Sequence, residues 1–499
     1  MKKALFILKL LAALVVACAA PVQSPPRSVE PQGSAVSAPT TAPAPTSIQP
    51  TARPTPALWS GTSSDGPFGS SILVSAFNPR RNRHEVLPVD PERGQPLAGY
   101  TPIDIGRNYR YAFSPDARTL AVVVYPSEMN QRNGVLRMID LTAWTAVTTT
   151  LKVDGWTYTT SFSPDGSRLA VAYFDESARR SPHAETILVI DVASQMVAAQ
   201  IAPGFLPRML EFTPDGQSLM AYGAASESGN GLNSVVRVAL FNAADLSVMW
   251  EQPLPGVLDG QYGKSASHEP GQALWWYPAL AASPDRQKLH IVHADEDRLT
   301  TVNFAERTAT SVEIGPARSW LEQLLGLGAD VAYAKVSDGT SKLAVLSSDG
   351  TRLYVVGETA KSIQDAHGNW QFEQTPLKLQ VVDAATGVLI AAHGTTATDI
   401  GISLDGSRLF LRGWKDTARA VVPWTDVLDS ASLDVVTRLD RHYLVPTRRM
   451  DGRPILLSSN SQGETTEMTA IEVDSLKSIH TWSMPTYADW LSPLWNPSQ

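Results

Sequence analysis

The chain has 499 residues, of which 43% are apolar and 18% charged, with a formal charge of −8 and a single cysteine, Cys18. The apolar share is ample for a large core. The acidic balance offers no electrostatic footprint for nucleic acid and opposes broad adhesion to anionic lipid, while one cysteine excludes an internal disulfide or a cysteine metal site in the folded part.

Residues 1–17 begin with Lys2-Lys3 and continue into an apolar stretch ending Leu10-Leu11-Ala12-Ala13-Leu14-Val15-Val16-Ala17. A basic start followed by a short apolar run is the pattern of a secretory signal, and Lys9 and the short length argue against a membrane-spanning helix. Removing that leader takes away three lysines and moves the charge to −11. Val15-Val16-Ala17-Cys18 resembles a bacterial lipobox, with Val15 where the usual pattern prefers leucine. The resemblance implies cleavage before Cys18, lipid on its sulfur and acylation of the new amine. Such multiple acylation gives stable anchoring, because each buried methylene adds about 0.8 kcal/mol. Ala19 in place of an acidic residue implies no inner-membrane retention in a bacterium with two membranes.

Residues 18–58 form a tether in this reading. From Pro21 to Pro56 ten of 36 residues are proline, mixed with Ser, Thr and Ala. Such a segment cannot bury enough surface to fold, and proline extends it at up to about 3.1 Å per residue, a stalk on the order of 100 Å. The expected location is therefore extracytoplasmic, on a membrane-anchored lipoprotein.

Residues 59–499 carry a recurring turn. It reads Ser114-Pro115-Asp116, Ser163-Pro164-Asp165-Gly166, Thr213-Pro214-Asp215-Gly216, Ser283-Pro284-Asp285, Ser348-Asp349-Gly350, Leu404-Asp405-Gly406 and Met450-Asp451-Gly452, at intervals of 46 to 70 residues. A β-rich run follows each, as in Leu169-Ala170-Val171-Ala172-Tyr173. Pro presets the first turn dihedral, Asp accepts backbone hydrogen bonds and Gly takes the left-handed position. A second corner pairs an apolar residue with Asp or Asn: Val89-Asp90, Ile139-Asp140, Ile190-Asp191, Phe241-Asn242, Val302-Asn303, Val382-Asp383, Leu428-Asp429 and Val473-Asp474.

Each unit then has four strands. Around Asp165 they are A, Thr157 to Phe162; B, Arg168 to Tyr173; C, Ile187 to Ile190; and D, Met196 to Ile201. Four antiparallel strands repeated radially make a β-propeller. The corners count eight blades, with seven as the alternative; a further hairpin over Val331 to Leu346 blurs the count. The first unit lacks an A strand: Ser71 to Phe77 reads as B, Glu85 to Val89 as C and Leu97 to Ile103 as D. Asp489-Trp490-Leu491-Ser492 from the other end supplies the missing strand and closes the ring. The Ser-Pro-Asp-Gly-x-x-Leu-Ala phrase resembles the WD40-like propellers of the TolB and YVTN type over roughly residues 60–495. That resemblance implies a fold and almost nothing of function, since the phrase is a turn.

The A–B and C–D turns are tight. Length collects in the B–C loops (Tyr125 to Gly134, Asp175 to Thr186, Ala224 to Ser234, Gly357 to Pro376) and the D–A connections (Glu251 to Leu274, Gly315 to Asp330), all on one face. Binding residues favour such loops on a stiff scaffold. Candidate ligand residues there are Trp275, Trp276, Tyr277, Trp370 and Trp414, suited to a sugar ring or a protein partner; packing between blades is the competing role for each.

Catalytic signatures are absent. There is no Gly-x-Ser-x-Gly elbow, phosphate loop or dinucleotide fingerprint. His290 and His293 point to opposite faces of a strand and read as packing residues; Asp295-Glu296-Asp297 reads as a solvated approach to a C strand. No cofactor and no metal is expected. The expectation is a non-enzymatic, lipid-anchored platform on the cell envelope that binds a protein or a glycan. A lactonase- or quinoprotein-like enzyme with its site in the central channel is the alternative. It would need three or more charged or histidine side chains converging on inner strands that read as mostly apolar, such as Tyr111-Ala112-Phe113 and Leu280-Ala281-Ala282.

Overall fold

A computed structural model of the chain describes residues 69–107, 109–124, 134–150, 155–175, 185–225, 235–262, 274–316, 339–364, 370–416, 421–462, 465–485 and 488–491. The leader, Cys18, the tether, most of the B–C loops Tyr125 to Gly134, Asp175 to Thr186 and Ala224 to Ser234, most of the D–A connection Gly315 to Asp330, and residues 263–273 and 365–369 lie outside them. Among the described residues there is no helix; eight antiparallel sheets make an eight-bladed β-propeller. Blade 3 shows the plan: A Gly155–Phe162, B Arg168–Asp175, C Glu185–Asp191 and D Met196–Ile201. Leu169 pairs with Phe162 and with Ile190 across the two inner ladders.

Burial explains the strand composition. In the C strand Glu185–Asp191 every residue but the last is buried, whereas the D strand Met196–Ile201 is largely exposed. Sheets stacked face to face bury both sides of their middle strands, so these read as unbroken apolar runs. Eight apolar clusters fill the eight seams, one between each pair of successive blades, including blade 8 against blade 1. That last cluster contains Trp490 of Ala488–Leu491, which pairs with Ile72–Asn78 as the missing A strand of blade 1. The ring therefore closes with three strands from one end of the chain and one from the other.

The turns are built as their chemistry requires. Ser163 Oγ donates to Asp165 Oδ1 (2.6 Å), the amide of Ser167 donates to the same oxygen (3.0 Å), the amide of Arg168 donates to Ser163 Oγ (2.9 Å), and Gly166 sits at φ +72°. The equivalent bonds from the Ser347 hydroxyl and from Thr351 hold the Asp349 carboxyl at about 2 instead of 3.8. Neighbouring turns also touch: a methyl on Gly166 or Gly216 would stand 3.6 Å from Cδ of Pro115 or Pro164 in the preceding blade. The phrase thus couples blades as well as reversing the chain.

Four readings of detail change. The hydroxyl of this turn stands two residues before the aspartate, so Ser347 and Ser403 serve Asp349 and Asp405, not Ser348 and Leu404. The eighth C–D corner is at Glu472, whose carbonyl accepts from Leu476 N with Leu476 at φ +55°; the other seven place their left-handed residue equally four positions on, as at Asp191 and Gln195. Blade 1 has two short D strands, Gln95–Pro96 and Ile103–Gly106, because Pro96, Gly99 and Pro102 break a ladder. Gly357 to Pro376 is largely a hairpin extension of blade 6, Arg352–Gln364 pairing with Trp370–Pro376. The residues between 331 and 338 are outside the described set, and Gly339–Leu346 is the inner strand of blade 6.

Candidate functional site

Inner strands of blades 5 to 8 and 1 surround a cavity of about 730 Å³ on the ring axis, walled by Leu343, Val345, Ile400 and Trp490 among others. Its charged lining residues are Asp399 and Arg412. Asp399 opens the A strand of blade 7, Asp399–Ile402; Arg412 lies in its B strand, Arg408–Asp416. The register sets them directly opposite one another. Arg412 Nη2 donates to Asp399 Oδ1 (2.9 Å) and to the Ile400 carbonyl (2.8 Å), and Nη1 donates to the Leu444 carbonyl of blade 8 (3.1 Å). The Tyr443 hydroxyl donates to Asp399 Oδ2, and the Arg412 guanidinium stands 5.0 Å over the Tyr443 ring. Arg412 is 7% exposed, so this network is held in a low-dielectric wall between two blades.

Trp414 lies two residues along the same strand as Arg412 and stacks on Tyr443, the ring centroids 5.5 Å apart at 25°. It is 56% exposed, the most exposed large apolar residue after Met196 among those described. Trp414, Tyr443 and Asp399 therefore form a ledge at the long-loop side of the cavity: an open indole, a phenol beneath it and a carboxylate beside it.

The other aromatic candidates fall elsewhere. Trp275, Trp276 and Tyr277 belong to Leu274–Tyr277, a strand that pairs in parallel with the start of the blade 6 inner strand, Gly339–Leu346, and antiparallel with Gly260–Tyr262. Trp275 packs flat on the backbone of Gly339, where a methyl would meet the indole at 2.5 Å. The Arg208 guanidinium lies 4.9 Å over the Tyr277 ring and pairs with buried Asp259. These rings are half-buried. Of Trp370 the backbone alone is described, on the outer strand of the blade 6 hairpin. His290 and His293 take opposite faces, bonding Thr301 (3.1 Å) and Thr300 (2.7 Å), and burial lowers both from 6.5 to about 4. The acidic run Asp295-Glu296-Asp297 is not freely solvated: it half-buries beside Lys342, whose ammonium donates to the Glu296 carbonyl (3.1 Å).

The sequence reading missed Asp399, Arg412 and Tyr443. Their signal is weak: an aspartate opens a short strand, and an arginine interrupts the apolar run Leu409-Phe410-Leu411.

By fold the chain is an eight-bladed β-propeller, with a cavity on its axis and an aromatic ledge at one mouth. No protein-family model matches it, and no curated protein matches it. Solved structures do. The dihydro-haem d1 dehydrogenase NirN in complex with DHE is similar over 87% of this chain and 76% of its own, at 12% identity and a TM-score of 0.52. A prolyl endopeptidase covers 78% and 50% at 14% identity and TM-score 0.44. The β-propeller domain of Myceliophteria thermophila Cps50 (Swd1) covers 75% and 96% at 12% identity and TM-score 0.36. At these identities the likeness is one of fold.

Proposed function

We propose that this chain is a membrane-tethered, extracytoplasmic propeller of the WD40-like kind that binds a glycan on the Trp414 ledge and performs no chemistry on it. The observation that carries the reading is the exposed Trp414 ring stacked on Tyr443 beside the Asp399 carboxylate. A sugar presents an apolar face of C–H groups and a rim of hydroxyls; an open indole suits the first and a carboxylate the second. The charged groups of the cavity lining, Asp399 and Arg412, pair with each other, which leaves no set of three convergent groups in that lining for the enzymatic alternative.

Glycan-array screening of the full chain, followed by calorimetry on the best hit, tests the site. Trp414→Ala is expected to weaken binding about tenfold or more with the fold intact, since a buried-on-binding Trp carries 2 kcal/mol or so. Unchanged affinity in that variant sinks the ledge. Capture of protein alone, or turnover of a lactone or sugar by the wild-type chain, sinks the glycan reading.

The anchor is a separate matter, proposed from Val15-Val16-Ala17-Cys18 and the proline-rich segment after it. Cys18→Ser is expected to move the protein from the membrane fraction to the soluble one. If that variant sediments with membranes as the wild type does, the cysteine carries no lipid anchor.

A further inference from the structure

Blade 5 differs from its neighbours at the turn between B and C. The strands Lys288–Val292 and Arg298–Asn303 are joined by a short loop closed by the bond from the His293 amide to the Arg298 carbonyl (3.0 Å). His293 is 1% exposed, yet its Nδ1 makes no hydrogen bond and lies 3.4 Å from Glu296 Oε1. Asp295 Oδ1, also buried, has no hydrogen-bond partner either. His293, Asp295 and Glu296 each bring one donor atom to within 4.8 Å of the others.

Buried polar atoms without partners cost about 1–3 kcal/mol each and are rare. Here two such atoms belong to residues whose donor atoms, together with one of Glu296, lie within 4.8 Å of each other. When Nε2–H donates to Thr300, Nδ1 and the two carboxylates present only lone pairs to one another. That tautomer keeps Nδ1 free while Nε2–H donates to Thr300 Oγ1 (2.7 Å), itself bonded to Ser311 Oγ (2.8 Å). A fixed imidazole with its second nitrogen held by a hydroxyl chain is how metal-binding histidines are oriented.

We propose that His293, Asp295 and Glu296 bind a divalent transition cation of the zinc class. The 3.4 Å separation of His293 Nδ1 and Glu296 Oε1 matches the edge of a tetrahedron whose bonds are about 2.0–2.1 Å. One nitrogen and two carboxylate oxygens suit Zn²⁺ rather than Ca²⁺, which takes 6–8 oxygens. Asp297 is excluded from the set because the Lys342 ammonium stands 3.7 Å from its Oδ1. Arg298 Nη1, 3.2 Å from Glu296 Oε1, is the cation that the metal displaces; at 38% side-chain exposure it can swing into solvent. Three protein ligands leave a fourth position for water. The site does not depend on the glycan reading, since it lies on blade 5 and the ledge on blades 7 and 8.

The test strips the full-length chain with a chelator and titrates it with ZnCl₂ by calorimetry at neutral pH, then with Co²⁺ by visible absorption. One site of tetrahedral cobalt spectrum is expected. Asp295→Asn and Glu296→Gln, both on half-exposed positions where folding is not at stake, should each weaken binding at least about tenfold, the low end of what even outer-shell changes cost. Arg298→Ala should tighten it. Zinc uptake by the Asp295→Asn/Glu296→Gln double variant equal to wild type overturns the proposal, as does no uptake by the wild type, which would leave a water between the three side chains.

Discussion

Arg412→Leu is expected to destabilise the propeller by about 3–5 kcal/mol, the range seen when one partner of a buried ion pair is removed. Leucine keeps the aliphatic stem but leaves Asp399 facing the cavity wall without its cation, and leaves the carbonyls of Ile400 and Leu444 without their donor. The Leu444 bond crosses from blade 7 to blade 8, so the loss falls on a seam as well as on a blade. Equilibrium urea unfolding measures it, or the unfolding half-life where refolding fails. Asp399→Asn should cost less, because the carboxylate is 24% exposed and its amide still accepts from Tyr443. Equal stability of wild type and Arg412→Leu would show that the network is ornamental. The same substitution should also lower ligand affinity, since Arg412 holds Tyr443 under Trp414.

The blades were legible because their information is local. A hydroxyl, a proline, an aspartate and a glycine within four residues determine a turn, and seven of the eight C–D corners are apolar–Asp or –Asn pairs. Errors arose where a different residue does the same geometric work. Glu472 stands where the other corners have Asp or Asn, and its carbonyl accepts from Leu476 N with Leu476 at φ +55°, so the eighth corner is at Glu472 and not at Asp474. Arg449 stands where a serine or threonine opens the other turns, and its guanidinium reaches Glu92 of blade 1 (3.0 Å), so that turn helps to close the ring while Asp451 still accepts from the Arg453 amide (3.0 Å). The blade 6 hairpin reads as a loop in sequence because its pairing, Glu358 with Pro376 through Gln364 with Trp370, runs past the end of the four-strand pattern.

The site was far less legible. Trp414 was singled out as an aromatic after a B strand, but its partners Tyr443 and Asp399 are distant in sequence and meet it only because blades 7 and 8 pack side by side. Nothing local marks Tyr443, which precedes an inner strand like any other connecting residue. The contacts that join them cross a seam between blades, and seam contacts are non-local by construction.

Gly223→Ala is expected to cost about 3 kcal/mol, the upper part of the usual overpacking range. In blade 4 the inner strand Leu206–Phe212 pairs with Ser218–Ala224, and the register slips between Pro207 and Met209. That slip bulges Arg208 out of the ladder and brings the Leu206 carbonyl so close to Gly223 that a methyl would stand 1.8 Å from its oxygen and 2.6 Å from its carbon. Both are backbone atoms, so no side-chain rotation relieves the clash; the bulge must open. Bulges re-aim a side chain, and the one re-aimed here is Arg208, which pairs with Asp259 and covers Tyr277. Two measurements separate the consequences: urea unfolding reads the lost packing, and the fluorescence of the Trp275-Trp276-Tyr277 strand, compared with that of Arg208→Ala, reads the lost ion pair. A glycine needed only for flexibility would tolerate alanine at roughly 1 kcal/mol or less; a cost that small would mean the close approach at Leu206 is absent. Because the bulge sits on an inner strand, the same substitution should leave the Trp414 ledge across the ring with its affinity intact, and a parallel loss there would indicate that the blades yield together rather than seam by seam.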